Sequence, residues 1–481
     1  MNGISLSHSG ILDRVSRTSI WILLILFELG IGAAAVVLPP LYVLILAGSA
    51  FIIIFSIEKP YFSYILVILS LPFFMYGITG SEEVKGSIDV KFVNVATVLA
   101  VFSWVTNGLI KKDLVFEKSP VVLTIVVLYV WMFFSLAWCR NPAIGAADYA
   151  KKTIGVAVFF LTINLIKDQK SLDWTFKLWV IIGLIYSFCG LWEVLHQGFA
   201  AAAIRDYDKW GEDVRTSAYA PGPNRYGFFL NLCLMIGIPQ LVTAKSLRYK
   251  VFLTFSIIMM MLLLICTMSR GAWAGFFVGA VILSFYSKSC RKILIIGFII
   301  AIVIFVVITT SSFMSAAYER FAGLVDPTIT KDYYGKPTIW TAGLRMFMDS
   351  PVVGVGVGSF NLLSPIYGAT NLILPHSLYV YILAEFGLMG LTLVLAIVGV
   401  FAFECIYTLK NLTSQGEKLI FVGLIAGLII YCFQGLSISF GFRESDMWAF
   451  FGLAIAAMKI YHLKQMTTPI ETYHVIDSFK K

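Results

Sequence analysis

An all-α, polytopic membrane fold is what this sequence predicts, on three observations. Only 13% of the 481 residues are charged while 59% are hydrophobic, and the mean hydropathy is +0.87; a soluble domain carries roughly 25% charged residues. Apolar stretches close to the ~20 residues needed to cross a bilayer recur from Ile20 to Tyr461. Several short connections between them are basic, as cytoplasmic loops of membrane proteins are.

In chain order, the apolar stretches predict helices over about 20–38, 41–57, 61–77, 93–110, 121–138, 153–166 and 175–195. They continue over 226–244, 251–268, 271–287, 293–312, 377–404, 419–437 and 446–461. That makes about fourteen spans, or twelve if 153–166 or the 41–77 region folds differently. The chain reads as a single transmembrane domain over 1–481, with long loops at 196–225 and 312–376 and a tail at 462–481. No internal repeat or low-complexity linker is visible. The opening M-N-G-I-S-L-S-H-S-G-I-L-D-R-V-S-R lacks a cleavage site, so the first apolar stretch reads as a retained helix.

Orientation follows from the basic residues. An N-terminus inside places K-K-D-L-V-F-E-K (111–118), K-S-L-R-Y-K (245–250), K-S-C-R-K (288–292) and the C-terminal tail on the cytoplasmic side. Both long loops, and Arg270, then face outward. The formal charge of +9 is spread over loops with no dense patch, which reads as a membrane surface and not as a nucleic-acid interface. Seven scattered cysteines, mostly within apolar segments, read as small buried hydrophobes.

One arginine interrupts the apolar run from Val251 to Ser287, in T-M-S-R-G-A-W-A-G (267–275). As one helix that run would measure roughly 55 Å, too long for one crossing and about right for two. Ser269-Arg270-Gly271 is therefore the expected turn, with Gly271 taking the special backbone conformation and Ser269 bonding freed amides. Arg270 then sits at the membrane boundary, either as an anchor that snorkels to headgroups or as a planar fork suited to a diphosphate.

Other polar residues gather on the same expected face. E-D-V-R-T-S-A-Y-A-P-G-P-N-R-Y-G places Arg215 and Arg225 around a proline-glycine turn, with Asn224 as the expected N-cap of the next helix. The second long loop holds Lys336 and Arg345. Its Gly354, Gly356 and Gly358 read as a close-packed bend, since a nucleotide loop needs a preceding strand and a Lys-Ser/Thr pair. In P-H-S-L-Y-V-Y-I-L-A-E-F-G-L-M-G, His376 stands at the start of a span. Glu385 lies nine residues on; along a continuous helix that is ~13 Å and about 900°, so the two would face apart. Glu385 reads as a functional intramembrane group or a helix-packing partner. The string Asp206-Tyr207-Asp208, flanked by Arg205 and Lys209, reads as a solvated loop and not a metal site; no metal and no cofactor is expected.

The Arg215…P-G-P-N-R-Y-G element, T-M-S-R-G-A-W-A-G, W-T-A-G-L-R-M-F-M-D-S-P-V-V-G-V-G-V-G-S-F (340–360) and P-H-S-L-Y-V-Y-I-L-A-E-F-G-L-M-G, in this chain order and with the long loop before the histidine, resemble the superfamily of O-antigen ligases and O-antigen polymerases from about Arg215 to Gly390. The N-terminal helices match only in hydropathy. The resemblance implies a bacterial inner-membrane glycosyltransferase, multi-pass, with its site facing the periplasm. It implies an undecaprenyl-diphosphate-linked glycan as donor, and as acceptor either a lipid A-core glycolipid or a second lipid-linked glycan, with no metal. By the same resemblance Arg215 and Arg270 bind the donor diphosphate and His376 activates the acceptor. Asn224, Arg225, Lys336 and Arg345 are candidate substrate contacts, and Lys336 stands where relatives often have arginine. The chemistry agrees: departing diphosphate develops negative charge that arginines stabilise, and an attacking hydroxyl must lose a proton. A flippase or other transporter is the rival; interrupted helices and related halves would mark it.

Overall fold

Proline and small polar residues set where the helices begin. The computed structural model describes residues 40–73, 91–196, 216, 218, 222–308, 336–369, 375–438 and 441–467 of the chain. Helices α1 (Pro40–Glu58), α2 (Pro60–Ser70), α4 (Pro120–Phe134), α5 (Pro142–Leu165) and α7 (Pro223–Thr243) each open on proline, whose missing N–H would be an orphan at that position anyway. Side chains of Ser119, Asn141, Ser269, Ser377 and Ser414 cap α4, α5, α9 (Arg270–Tyr286), α13 (Leu378–Asn411) and α14 (Gln415–Gln434). The other helices are α3 (Phe92–Lys111), α6 (Gln169–His196), α8 (Leu247–Cys266), α10 (Lys288–Ile308), α11 (Lys336–Asp349), α12 (Phe360–Leu363) and α15 (Ser445–Thr467).

Every described element is thus helical, as an all-α polytopic membrane protein requires, because a backbone in hydrocarbon must satisfy its hydrogen bonds within the segment. Among the described residues eight helices are long and apolar enough to cross a membrane: α3, α4 with its 3₁₀ extension to Ala137, α6, α7, α8, α10, α13 and α14. The expected twelve to fourteen included shorter apolar helices, such as α2 and α9. It also included α5 and α15, which are long enough but carry charged side chains. The span expected at 20–38 lies outside the described residues.

Helix α7 is the axis of the bundle, with 83% of its apolar window buried against 28% for α10 and α13. The peripheral helices turn Phe102, Leu123, Phe298 and Phe403 outward, which suits a lipid solvent. All seven cysteines are free, as their scatter predicts. Ion pairs Lys459–Glu117 and Lys464–Glu417 tie α15 to α14 and to the α3–α4 connection at one end of the bundle. The opposite end carries the candidate site.

Three local expectations need correction. The 312–376 loop contains α11, a helix whose Ile339, Ala342 and Met346 face inward at helical spacing. Helix α13 is not continuous: Gly387 (φ 63°, ψ −162°) breaks it. The break is filled by the preceding loop, since Val355 and Gly356 donate to the carbonyls of Ala384 and Glu385, and Leu388 and Met389 donate to those of Pro351 and Val352. An interrupted helix is a transporter feature, but here the freed backbone bonds to protein. Finally, Gly222 (φ 118°), not Asn224, occupies the N-cap of α7, with Pro223 as its first residue.

Candidate active site

The turn T-M-S-R-G is real, but a different residue carries its strain. Met268 takes the left-handed conformation (φ 49°), while Gly271 is already helical in α9. Ser269 caps α9 by accepting from the Ala272 amide at 3.2 Å, and its hydroxyl donates to Asn224 Oδ1 at 2.6 Å. Asn224 therefore joins the start of α7 to the start of α9. Arg270, half-buried, is the first residue of α9.

His376 stands two residues before α13, also left-handed (φ 49°), with Ser377 capping the helix. Leu378 donates its amide to the Gly435 carbonyl at 2.7 Å, which fixes the start of α13 on the turn that ends α14. The same turn meets the Arg270 element: Gln434 Nε2 donates to the Gly271 carbonyl at 3.0 Å, and a Cβ on Gly271 would stand 3.2 Å from Ser437 Oγ. Arg270 and His376 are thus carried by two helix starts packed on one turn, Gln434–Ile438. Ala218 and Phe442 are left-handed as well, so four of the five described non-glycine residues with positive φ lie at this end. Backbone strain of this kind concentrates at functional sites.

Arg215 lies outside the described residues, as does Asp206-Tyr207-Asp208. The next residue after Arg215, Thr216, is anchored: its amide donates to the Cys266 carbonyl at the end of α8, and its hydroxyl donates to buried Glu193 at 2.6 Å. Ala218 N–H also donates to Glu193, at 2.7 Å. Thr216 therefore docks beside the turn leading to Arg270.

Arg225 sits against carboxylates, pairing with Glu444 at 3.0 Å and Asp446 at 3.3 Å at the start of α15. Burial pushes the Glu444 carboxyl up to about 7 against the opposing pull of Arg225. Lys336 is the first residue of α11. Arg345, exposed on α11, donates to the Tyr367 carbonyl at 3.1 Å.

Glu385 is 1% exposed and holds the glycine bend: it accepts from the amides of Gly358 and Phe360 at 3.1 Å each and from the Tyr381 hydroxyl at 2.6 Å. The bend is close-packed, as the sequence predicts. Gly354, Gly356 and Gly358 have φ of 69°, 89° and 70°, and a Cβ on Gly354 would lie 2.4 Å from the Glu385 carbonyl carbon. Around it, buried Asp148 pairs with both Lys152 and Arg443, and Lys152 stands over the Tyr381 ring. Missed by the sequence reading were Gln434–Ile438 and Arg443–Asp446, which contact the starts of α9, α13 and α7 and, through Arg443, Asp148 on α5. The R-E-S-D tetrad just before an apolar helix was the available signal.

A groove of ≈ 860 Å³ runs between α8, α9 and α10, lined by apolar side chains including Trp273, Phe277, Ala280, Phe298 and Ile302. The α9 positions in its wall, 273, 276, 277, 280, 281, 284 and 285, form one broad face at helical spacing, and Arg270 stands one turn above them on that face.

Two comparisons with known proteins bear on this arrangement. The family model described as O-antigen ligase matches residues 255–395, which include Arg270, the glycine bend, His376 and Glu385. The chain is 23% identical over 372 residues to the teichuronic acid biosynthesis protein TuaE of Bacillus subtilis (strain 168), covering 74% of this chain and 75% of that protein. Together they point to a glycosyltransferase-like enzyme of polysaccharide biosynthesis, embedded in a membrane by many helices. Both findings are consistent with the superfamily of O-antigen ligases and polymerases that the motif order resembles, the similarity to the O-antigen ligase model lying in residues 255–395.

Proposed function

We propose that this protein transfers a glycan from undecaprenyl diphosphate to the hydroxyl of an acceptor sugar, on the outer face of the cytoplasmic membrane and without a divalent metal. Arg270 and Arg215 hold the donor diphosphate and stabilise the charge that grows on it as the glycosidic bond breaks. His376 takes the proton from the acceptor hydroxyl as it attacks the anomeric carbon. Asn224 and Arg225 shape the mouth of the site, and Lys336 and Arg345 lie on the helix preceding the glycine bend.

One observation carries the reading: a cation and an imidazole on two helix starts packed against one turn, with an apolar groove descending from the cation. Arg270 to Phe285 spans about 22 Å of helix, most of a hydrocarbon core. A lipid diphosphate has this polarity, an anionic head above a long apolar chain.

The acceptor divides two readings. A ligase would use a lipid A-core sugar, and a polymerase a second lipid-linked glycan. The comparisons bear on both: the family model is described as O-antigen ligase, and the relative is named for teichuronic acid biosynthesis.

The test is turnover by purified protein in liposomes, given an undecaprenyl-diphosphate glycan. Free undecaprenyl diphosphate should appear with the donor alone if a second lipid-linked glycan is the acceptor, and only on adding a lipid A-core sugar if that is the acceptor, with EDTA making no difference in either case. Release that depends on a divalent metal, or glycan movement across the bilayer without release, rejects the proposal. Sidedness has its own check, in a background lacking native cysteines. Cysteines at Asp206 and Asp332 should react with an impermeant thiol reagent in intact cells (outer membrane permeabilised where present), and one at exposed Ser246 only after lysis. The reverse pattern puts the site on the wrong side for an exported acceptor.

A further inference from the structure

Two isolated amides inside apolar helices grip the first turn of α9. Asn231 on α7, fully buried, donates Nδ2 to the Ala272 carbonyl at 2.9 Å. Gln434 on α14, also fully buried, donates Nε2 to the neighbouring Gly271 carbonyl at 3.0 Å. A backbone carbonyl is only an acceptor, so each amide must present its NH₂ group and turn its oxygen away. Those oxygens, Asn231 Oδ1 and Gln434 Oε1, are buried with no hydrogen-bond partner. An unsatisfied buried acceptor lowers stability, and an apolar side chain of similar shape would avoid the cost.

Neighbouring small residues make room for the grip. A Cβ on Gly275 would stand 2.5 Å from Gln434 Nε2, and one on Gly227 would stand 2.5 Å from Ala272 Cβ. Together with the Ser269–Asn224 hydrogen bond, α9 is held at its start from two other helices. Helix starts fray when left to themselves, and this one begins with the arginine.

We propose that Asn231 and Gln434 are positioning residues for Arg270: they fix the rotation and depth of the first turn of α9 so that the guanidinium meets the diphosphate in one geometry. The inference rests on the reading of Arg270 as the diphosphate ligand. Neither amide touches substrate; both act through the carbonyls of Gly271 and Ala272. Misplacing a reacting group by about 1 Å can cost on the order of a hundredfold in rate, which is the effect such a grip prevents.

The experiment is a double-mutant cycle on the full-length protein in liposomes, reading donor KM, kcat and thermal melting. Asn231→Leu and Gln434→Met remove the amides, and Gly275→Ala displaces the Gln434 amide from the other side. In the wild-type background each should cut kcat/KM for the donor by roughly ten- to a hundredfold, the two apolar variants at a melting temperature equal to or above wild type. In an Arg270→Ala background the same changes should have almost no further effect, because the group they position is gone. Equal losses in both backgrounds would mean the amides serve the bundle and not Arg270, overturning the inference. So would unchanged kinetics in the wild-type background. If the apolar variants do not accumulate, Gly275→Ala alone completes the cycle. Should Arg270→Ala by itself leave donor kinetics untouched, the functional reading fails first, and that outcome is visible before any amide is changed.

Discussion

Arg270→Lys is expected to lose most transfer activity while inserting and melting like the wild type, and Arg270→Ala to lose roughly 10²–10³-fold, the usual worth of a preorganised donor to a developing oxyanion. The reason is geometric. Arg270 is the first residue of α9, and its Cα is held by the Ser269 cap and by hydrogen bonds to the carbonyls just after it. A guanidinium fork fixed in that way can meet two diphosphate oxygens at once; an ammonium reaches as far but bonds as a point charge. Position argues the same. A cation at a helix N-terminus opposes the helix dipole and costs a few tenths to about 1 kcal/mol, whereas an anion there is stabilised. Helix stability therefore gives no reason for arginine at this place, and a bound diphosphate does. Were Arg270 only a membrane anchor, lysine would snorkel equally well and the Arg270→Lys enzyme would keep near-normal turnover. Measuring kcat and donor KM for both variants, alongside melting in detergent, decides between the two.

What could be read in the sequence was what local chemistry controls. A break beside Arg270, the capping by Ser269 and the tight glycine bend followed from residue type and spacing, although the turn itself falls at Thr267-Met268 and Gly271 is helical. Hydropathy found the spans but not their shape. In a membrane both faces of a helix are apolar, so periodicity hardly separates the buried axis α7 from the lipid-facing α10. It also cannot show that Gly387 breaks α13, because the broken hydrogen bonds are supplied by a loop more than thirty residues earlier. Helix α11 was hidden within a stretch that read as loop, its inward face carrying few large apolar side chains, Ile339 and Met346 with Ala342 between them. The site itself was half legible. Arg270, His376 and Glu385 stood out as polar groups in or beside apolar runs. The turn that brings the first two together lies about 60 residues beyond His376, and its partners are contacts that one sequence does not display.

His376 supplies the remaining large effect. If it takes the acceptor proton, His376→Ala should slow transfer by roughly 10²–10⁴-fold and leave donor binding nearly intact. The residue has a left-handed backbone (φ 49°), so alanine alone is an ambiguous probe: strain there would disturb the start of α13 as well. Asparagine tolerates this conformation far better and has no titrating nitrogen. His376→Asn should therefore be as slow as His376→Ala; recovery by asparagine would assign the loss to backbone strain. The pH profile gives the second half of the test. An imidazole must be neutral to accept a proton, so wild-type activity falls on the acid side as it protonates, and both variants lose this acid limb. Glu444 also titrates there, since burial raises it to about 7, and protonating it removes one partner of Arg225. Glu444→Gln separates the two: the limb persists in that variant if His376 is the base and disappears if the limb belonged to Glu444. Arg215→Ala should differ from all of these, raising donor KM, because the diphosphate is charged before the reaction starts. A His376→Asn enzyme that binds donor poorly and keeps the wild-type acid limb would instead make His376 a diphosphate ligand and leave the acceptor's proton to another group.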